Sequence, residues 1–336
     1  MKRSLRIGSV LLVCFALLLS CTVDDGKTKS TTATAVTEVK AVEPANANEP
    51  TQKIVKVGFI ATNLSAESQA RVAKQFKNIG EEKGWDLTIL NSQGSIETQA
   101  TQIDNLVQMK VDAIVLAMGH PSEIKPSISA ANKAGIPVIT IASGYVDGVV
   151  TDITANDFVM GAKITSHLFD TLGGKGNIVA IKFVKNAGCR KRGEVFDAIL
   201  PEYPEIKLLD EYSVAATARF MDDTTSAMET FVTKYGDEID GVWCAFDQLA
   251  YSCADVLQAQ GYNDAMVVGV DGNEETFRRI ENGTMAATIS QPFEEMANTA
   301  SVIIEKIISG VSPEDAAGSH ILYVDAPLVT KATLSN

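Results

Sequence analysis

From Ile54 to the C-terminus the chain alternates short apolar runs rich in β-branched residues with amphipathic stretches of helical period. That alternation admits few folds, because it calls for parallel strands joined by helices that cover the faces of a sheet. The runs predict strands at Val55–Ala61, Leu87–Leu90, Ala113–Ala117 and Pro137–Ile141, then at Asn177–Phe183, Lys207–Tyr212, Gly241–Ala245, Met266–Val270 and Met285–Ile289. Val72, Phe76 and Ile79 follow the first strand, and Ile103, Leu106 and Val107 the second, each set on one helical face. A body of about 280 residues is too much for one small core and suits two lobes, each an open doubly wound sheet. Ligands of such sheets sit beyond the carboxyl ends of the strands, so the residues just after each strand are the candidates for function.

Ahead of this body, Lys2, Arg3 and Arg6 precede an apolar run from Val10 to Leu19 that is too short to span a bilayer. This is the layout of a secretory signal, assigned to residues 1–20. The run ends at Leu18-Leu19-Ser20-Cys21, which resembles a bacterial lipobox and makes Cys21 the expected lipidation site; a plain signal peptide with an incidental cysteine is the other reading. More than one acyl chain there would hold the protein stably on a membrane. Residues 21–52, rich in Thr, Ala, Glu, Asn and Pro, hold too little apolar surface to offset ordering entropy and read as a flexible tether of about 30 Å.

Loss of residues 1–20 removes three positive charges and takes the formal charge from −13 to −16. Nucleic acid is a poor partner for such a chain, and the balance suits a soluble monomer. Cys14 leaves with the signal, and Cys189, Cys244 and Cys253 remain. Their odd number and spacing match neither a disulfide framework nor a zinc site. They read as buried thiols, with a Cys244–Cys253 disulfide the alternative that an oxidising compartment allows. No cofactor or metal is implied.

Four segments carry a family resemblance: Gly135-Ile136-Pro137-Val138-Ile139-Thr140, Arg190-Lys191-Arg192-Gly193-Glu194-Val195-Phe196, Val267-Val268-Gly269-Val270-Asp271-Gly272 and Ala286-Ala287-Thr288-Ile289-Ser290-Gln291. In order and spacing they resemble the ribose-binding branch of the type I periplasmic binding proteins, over about Lys53 to the C-terminus. The resemblance implies an α/β fold of two doubly wound parallel-sheet lobes joined by a three-strand hinge, with crossovers near Ala155, Gln291 and Leu322. It assigns residues 53–155 plus 291–320 to an N-lobe and 156–290 plus 321–336 to a C-lobe. It further implies a small polar ligand, such as a sugar, polyol or nucleoside-like compound, closed between the lobes and delivered to an ABC permease or a sensory membrane protein.

Position by position, Arg192 falls on the family's ligand-contacting arginine, whose guanidinium can fork to two hydroxyls or a carboxylate. Asp271 matches an acceptor for hydroxyl donors, and Gln291 a crossover residue that both donates and accepts. Asp247 matches the second member of an Asn-Asp pair that either contacts ligand or caps the following helix. The chain departs from the family elsewhere. Asn63-Leu64-Ser65-Ala66 replaces the usual stacking aromatics after the first strand, leaving Asn63 and Ser65 as the polar candidates. Ala142-Ser143 replaces an Asp-Arg pair, and Phe246 replaces the expected Asn before Asp247. Aromatic area is therefore expected from Phe220, Phe246 and Tyr145, although a lone aromatic at a strand end often belongs to the core. His120, after the third strand, is a further candidate for contact or capping.

With histidines only at 120, 167 and 320 and no nucleophile, zinc or phosphate-loop motif, no enzyme site is legible. Leu172-Gly173-Gly174-Lys175-Gly176 precedes a strand and reads as a helix stop. A related repressor would need a DNA-binding helix pair where the export signal stands. The rival reading is a sensory receptor of the autoinducer or chemotaxis type. The expected location is lipid-anchored in the periplasm or on the outer face of the cell membrane.

Overall fold

The computed structural model describes residues 53–215 and 219–335. The expected signal, the lipidation site Cys21 and the tether lie outside the described residues. The first lobe is built on β1 (Lys56–Ala61), β2 (Asp86–Asn91), β3 (Ala113–Ala117), β4 (Val138–Ile141) and β5 (Asp152–Ala155). The second follows with β6 (Lys175–Lys182), β7 (Glu205–Ser213), β8 (Gly241–Cys244), β9 (Met266–Asp271) and β10 (Ala287–Ser290). The tail adds β11 (Ile321–Val324) to the first sheet and β12 (Leu328–Thr330) to the second, giving the orders β11-β5-β4-β3-β1-β2 and β12-β10-β9-β8-β6-β7. Pairing is parallel throughout except between β10 and β12.

The helices relevant to the cleft are α1 (Glu67–Lys83), α2 (Ile96–Gln108), α3 (Lys125–Lys133), α4 (Asp157–Thr171), α5 (Ala187–Ile199), α6 (Phe220–Tyr235), α7 (Asp247–Gln260), α8 (Glu274–Glu281) and α9 (Phe293–Ile308). Strand periodicity sorts them. Val57, Phe59 and Ala61 of β1 point to one face, where Phe59 stacks on Phe76 of α1 at 5.0 Å. Ile60 points to the other, against Ile103, Leu106 and Ile128 of α2 and α3. Both faces are buried, as parallel sheets require. In the second lobe, fully buried Trp243 on β8 lies 5.0 Å from Phe196 and donates its indole N–H to Thr165 of α4 at 3.0 Å, so a large apolar group is buried with its donor satisfied.

The chain crosses between lobes after β5, after β10 and between β11 and β12. The third crossover corrects the sequence expectation. Residues 321–324, assigned above to the C-lobe, pair with β5 in the first sheet, so the chain crosses at Asp325-Ala326-Pro327 and not near Leu322. Lys163 of α4 holds this segment by donating to the Ala326 carbonyl at 2.9 Å.

Candidate functional site

The strand ends of the two lobes face one another across two adjoining cavities of about 80 and 60 Å³. Ala66, Gln69, Met118, Phe183, Asn186 and Phe246 line both, so they form one cleft with two chambers.

The first chamber is charged. Arg192, on α5, is 5 % exposed, and its Nε donates to Asp157 at 3.2 Å and one terminal nitrogen to the Ala245 carbonyl at 2.6 Å. Burial opposes its charge, yet Cys189 and the Asp157 and Asp271 carboxylates hold its pKa above the ordinary arginine value. Asp271 ends β9 and accepts from the Gln291 side-chain amide at 2.9 Å. Burial, with the nearby Asp247 charge, pushes its carboxyl up to about 7 against the pull of Arg192. Its φ of 145° is a region that side-chain-bearing residues rarely adopt, a strain typical of ligand clamps. Two glycines explain this turn. A Cβ on Gly269 would meet Asp247, and Gly272, at φ 68°, lies too close to Ser290 for any side chain.

The second chamber is walled by Phe183, Phe220 and Phe246, with Phe246 edge-on to both others at 5.7 and 5.5 Å. Asn63 and His120 line its first-lobe side. The Asn63 side-chain oxygen accepts from the Ser65 backbone at 3.0 Å, and its own backbone N–H donates to Gln69 at 2.8 Å. His120 stands 3.5 Å from Glu123, and burial, outweighing that carboxylate, lowers its pKa, so the ring is neutral at pH 7.

Arg192, Asp271, Gln291, Asn63, His120, Phe220 and Phe246 thus meet in the cleft, whereas four expected residues, Ser65, Ser143, Asp247 and Tyr145, do not. Ser65 is exposed outside both chambers. Ser143 is tied to backbone: its hydroxyl accepts from Gly119 at 2.8 Å and lies 3.0 Å from the Leu116 and Ile141 carbonyls. It lines a separate hollow with Asp152. Asp247 is fully buried. One carboxylate oxygen accepts from the backbone of Gly272 and Asn273 and from Thr276, and the other from Thr288. It shapes the Asp271 turn and does not reach the cleft. Tyr145 stacks on His320 at 4.5 Å beside a larger hollow of about 700 Å³, lined by Gly135, Ile136 and Pro137 of the first motif and by none of Arg192, Asp271 and Gln291. Cys189, Cys244 and Cys253 are buried free thiols, with 3.8 Å between the sulfurs of the last two.

Sequence reasoning missed Asp157, which follows a short strand beginning with an aspartate, and Gln69 and Asn186, polar residues in or before a helix with nothing local to mark them. It also missed the bonds that join the lobes. Gln248 of α7 accepts the Glu67 N–H at 2.8 Å, so a residue of the second lobe caps α1 of the first. Arg71 of α1 donates to the carbonyls of Asp271 and Gly272 at 3.2 and 3.1 Å and to the Asn273 side chain at 3.1 Å. The same guanidinium makes a two-point ion pair with Glu294 and lies 5.0 Å over Phe293 of α9.

Residues 57–311 match the family model described as periplasmic binding protein domain. The chain is 25% identical over 288 residues to the xylitol-binding protein of Mycolicibacterium smegmatis, covering 85% of this chain and 79% of that one. It is 24% identical to the ribose import binding protein of Bacillus subtilis, covering 83% and 89%. Among solved structures, an ABC transporter solute binding protein from Agrobacterium vitis with bound allitol superposes with a TM-score of 0.74 at 22% identity, over 84% of this chain and 97% of that one.

Proposed function

The chain belongs to the periplasmic binding protein domain family, and from that premise we infer that it is an exported receptor that captures a sugar or polyol for an ABC importer. The observation that carries the reading is the Arg192, Asp271 and Gln291 constellation, buried between two lobes and converging on one cavity. Arg192 offers donors in a fixed fork, Asp271 as carboxylate offers only acceptors, and Gln291 offers both, the complement of a ring or chain of hydroxyls. The relatives named for xylitol and ribose support that ligand class, and their names favour uptake over sensing. The family is one of solute-binding proteins, so capture and release, with no chemical step, is the activity proposed.

The finer parts belong to the same reading. Cys21 carries lipid, residues 21–52 tether the body, and the receptor works as a monomer at the membrane surface. Cys21→Ser is expected to release the protein into the soluble fraction with its unfolding temperature unchanged; a Ser variant that stays with membranes after a high-salt wash removes the anchor.

A thermal-shift screen of the mature chain against pentoses, hexoses, pentitols, hexitols, nucleosides and amino acids tests the central reading. A ligand at a hundredfold over its dissociation constant adds about 2.7 kcal/mol to stability. A shift confined to amino acids, or none in any class at millimolar concentration, contradicts it.

A further inference from the structure

We propose that Cys244 and Cys253 are joined by a disulfide in the exported protein, a covalent staple beneath the second-lobe side of the cleft. The inference goes beyond the receptor reading and takes from it only that the chain is exported, since disulfides form and persist in oxidising compartments. Cys244 ends β8 and Cys253 lies in the second turn of α7, and neither has exposed surface. Their sulfurs face each other at 3.8 Å, in hydrogen-bonding contact. A disulfide holds its sulfurs about 2 Å apart, so a closing movement of roughly 1.8 Å, shared between two side chains, completes the bond. Cys189, on α5, lines the charged chamber with no cysteine against it.

The chemistry is thiol–disulfide exchange, with a protein or small-molecule disulfide of the compartment as oxidant. One cysteine thiolate attacks a sulfur of that disulfide, and the oxidant's other sulfur leaves as a thiolate. The second cysteine's thiolate then attacks the mixed disulfide, which closes the Cys244–Cys253 bond and releases the oxidant's remaining sulfur. Two electrons pass to the oxidant, whose two thiols take up the protons that the cysteines give up. Exchange needs a thiolate and access, and burial raises the Cys244 thiol well above its ordinary range. The bond therefore forms while the chain folds, before α7 closes over β8, and the finished core shields it from reductants.

The staple ties together the supports of both charged ligand groups. The residue after Cys244 offers the carbonyl that Arg192 bonds at 2.6 Å. The first turn of α7 carries Asp247, which builds the Asp271 turn, and Gln248, which caps α1 of the other lobe.

The test produces the full chain with its own signal, unfolds the exported fraction in denaturant with an alkylating agent present, and maps the peptides by mass. Without reductant, Cys189 is expected to be alkylated and Cys244 and Cys253 to be recovered linked to each other; after reduction all three are alkylated. The same protein refolded with oxidised and reduced glutathione is expected to regain the link and to unfold about 5 °C above protein refolded with dithiothreitol, as closure of a loop of about ten residues predicts. Cys189→Ser should keep that difference and Cys253→Ser should abolish it. Free Cys244 and Cys253 in the exported protein, a link through Cys189, or linked and reduced forms that unfold at one temperature would overturn the inference and leave the receptor reading standing. A chain retained in the cytosol would instead refute the export on which the receptor reading depends, and the glutathione refolding would then decide the disulfide by itself.

Discussion

Asp271 joins the backbone, electrostatic and binding features of the cleft in one residue. Its carboxyl is raised to about 7, first by burial and then by the charge of Asp247. A ligand hydroxyl that donates to it favours the carboxylate, so the bound form has the lower pKa and binding releases protons. Affinity should therefore rise with pH through the window below about 7 and level off above it. Calorimetry in buffers of different ionisation enthalpy measures the protons directly. Asp271→Asn is expected to bind more weakly at pH 8 and to lose the pH dependence; a wild-type affinity flat from pH 5.5 to 8 would contradict the assignment.

The place of Arg192, Asp271 and Gln291 at the cleft was legible because each lies inside a recognisable local motif, Asp271 and Gln291 at strand ends and Arg192 in the second turn of α5. Ser143 and Asp247 were misread for a physical reason. What removes them from the cleft is hydrogen bonding to segments 24 to 41 residues away, as Ser143 to Gly119 and Asp247 to Thr288, and no local pattern encodes such partners.

Among the elements, α1 does most to relate cleft to closure. Its N-terminal residue donates to Gln248 and its second turn carries Arg71, so the helix bonds the second lobe at both α7 and the turn that presents Asp271. A charge-assisted hydrogen bond contributes roughly 1.5 to 3 kcal/mol, and partial exposure of Arg71 places it at the lower end. Arg71→Ala should therefore speed ligand dissociation about tenfold and leave association within a few-fold, because the ligand reaches the cleft before the lobes join. Stopped-flow measurement of both rates decides it. An unchanged dissociation rate would make the Arg71 contacts incidental to capture.

The central strands were legible in the sequence because both their faces are buried, which produces continuous apolar runs. The elements missed were β5, which begins with Asp152, and the tail strands β11 and β12, whose residues are exposed or half-buried and so lack such a run.

On the scale of the whole molecule, two sheets of the same strand order are joined by crossovers after β5, after β10 and before β12. Such a connection lets the lobes rotate as bodies about short segments, and contacts made from both lobes supply the differential affinity that favours the joined state. The two-lobed architecture was legible because the strand–helix alternation occurs twice in a body too long for one core. The sequence places the last crossover a few residues early, near Leu322, because an edge strand in either sheet has the same short, half-polar pattern. Small-angle scattering on the mature chain, free and with a saturating sugar or polyol from the screen, tests the central claim of a ligand-closing receptor. A smaller radius of gyration in the bound state is the predicted result. An identical profile in both states, for a ligand that calorimetry shows to be bound, would contradict it.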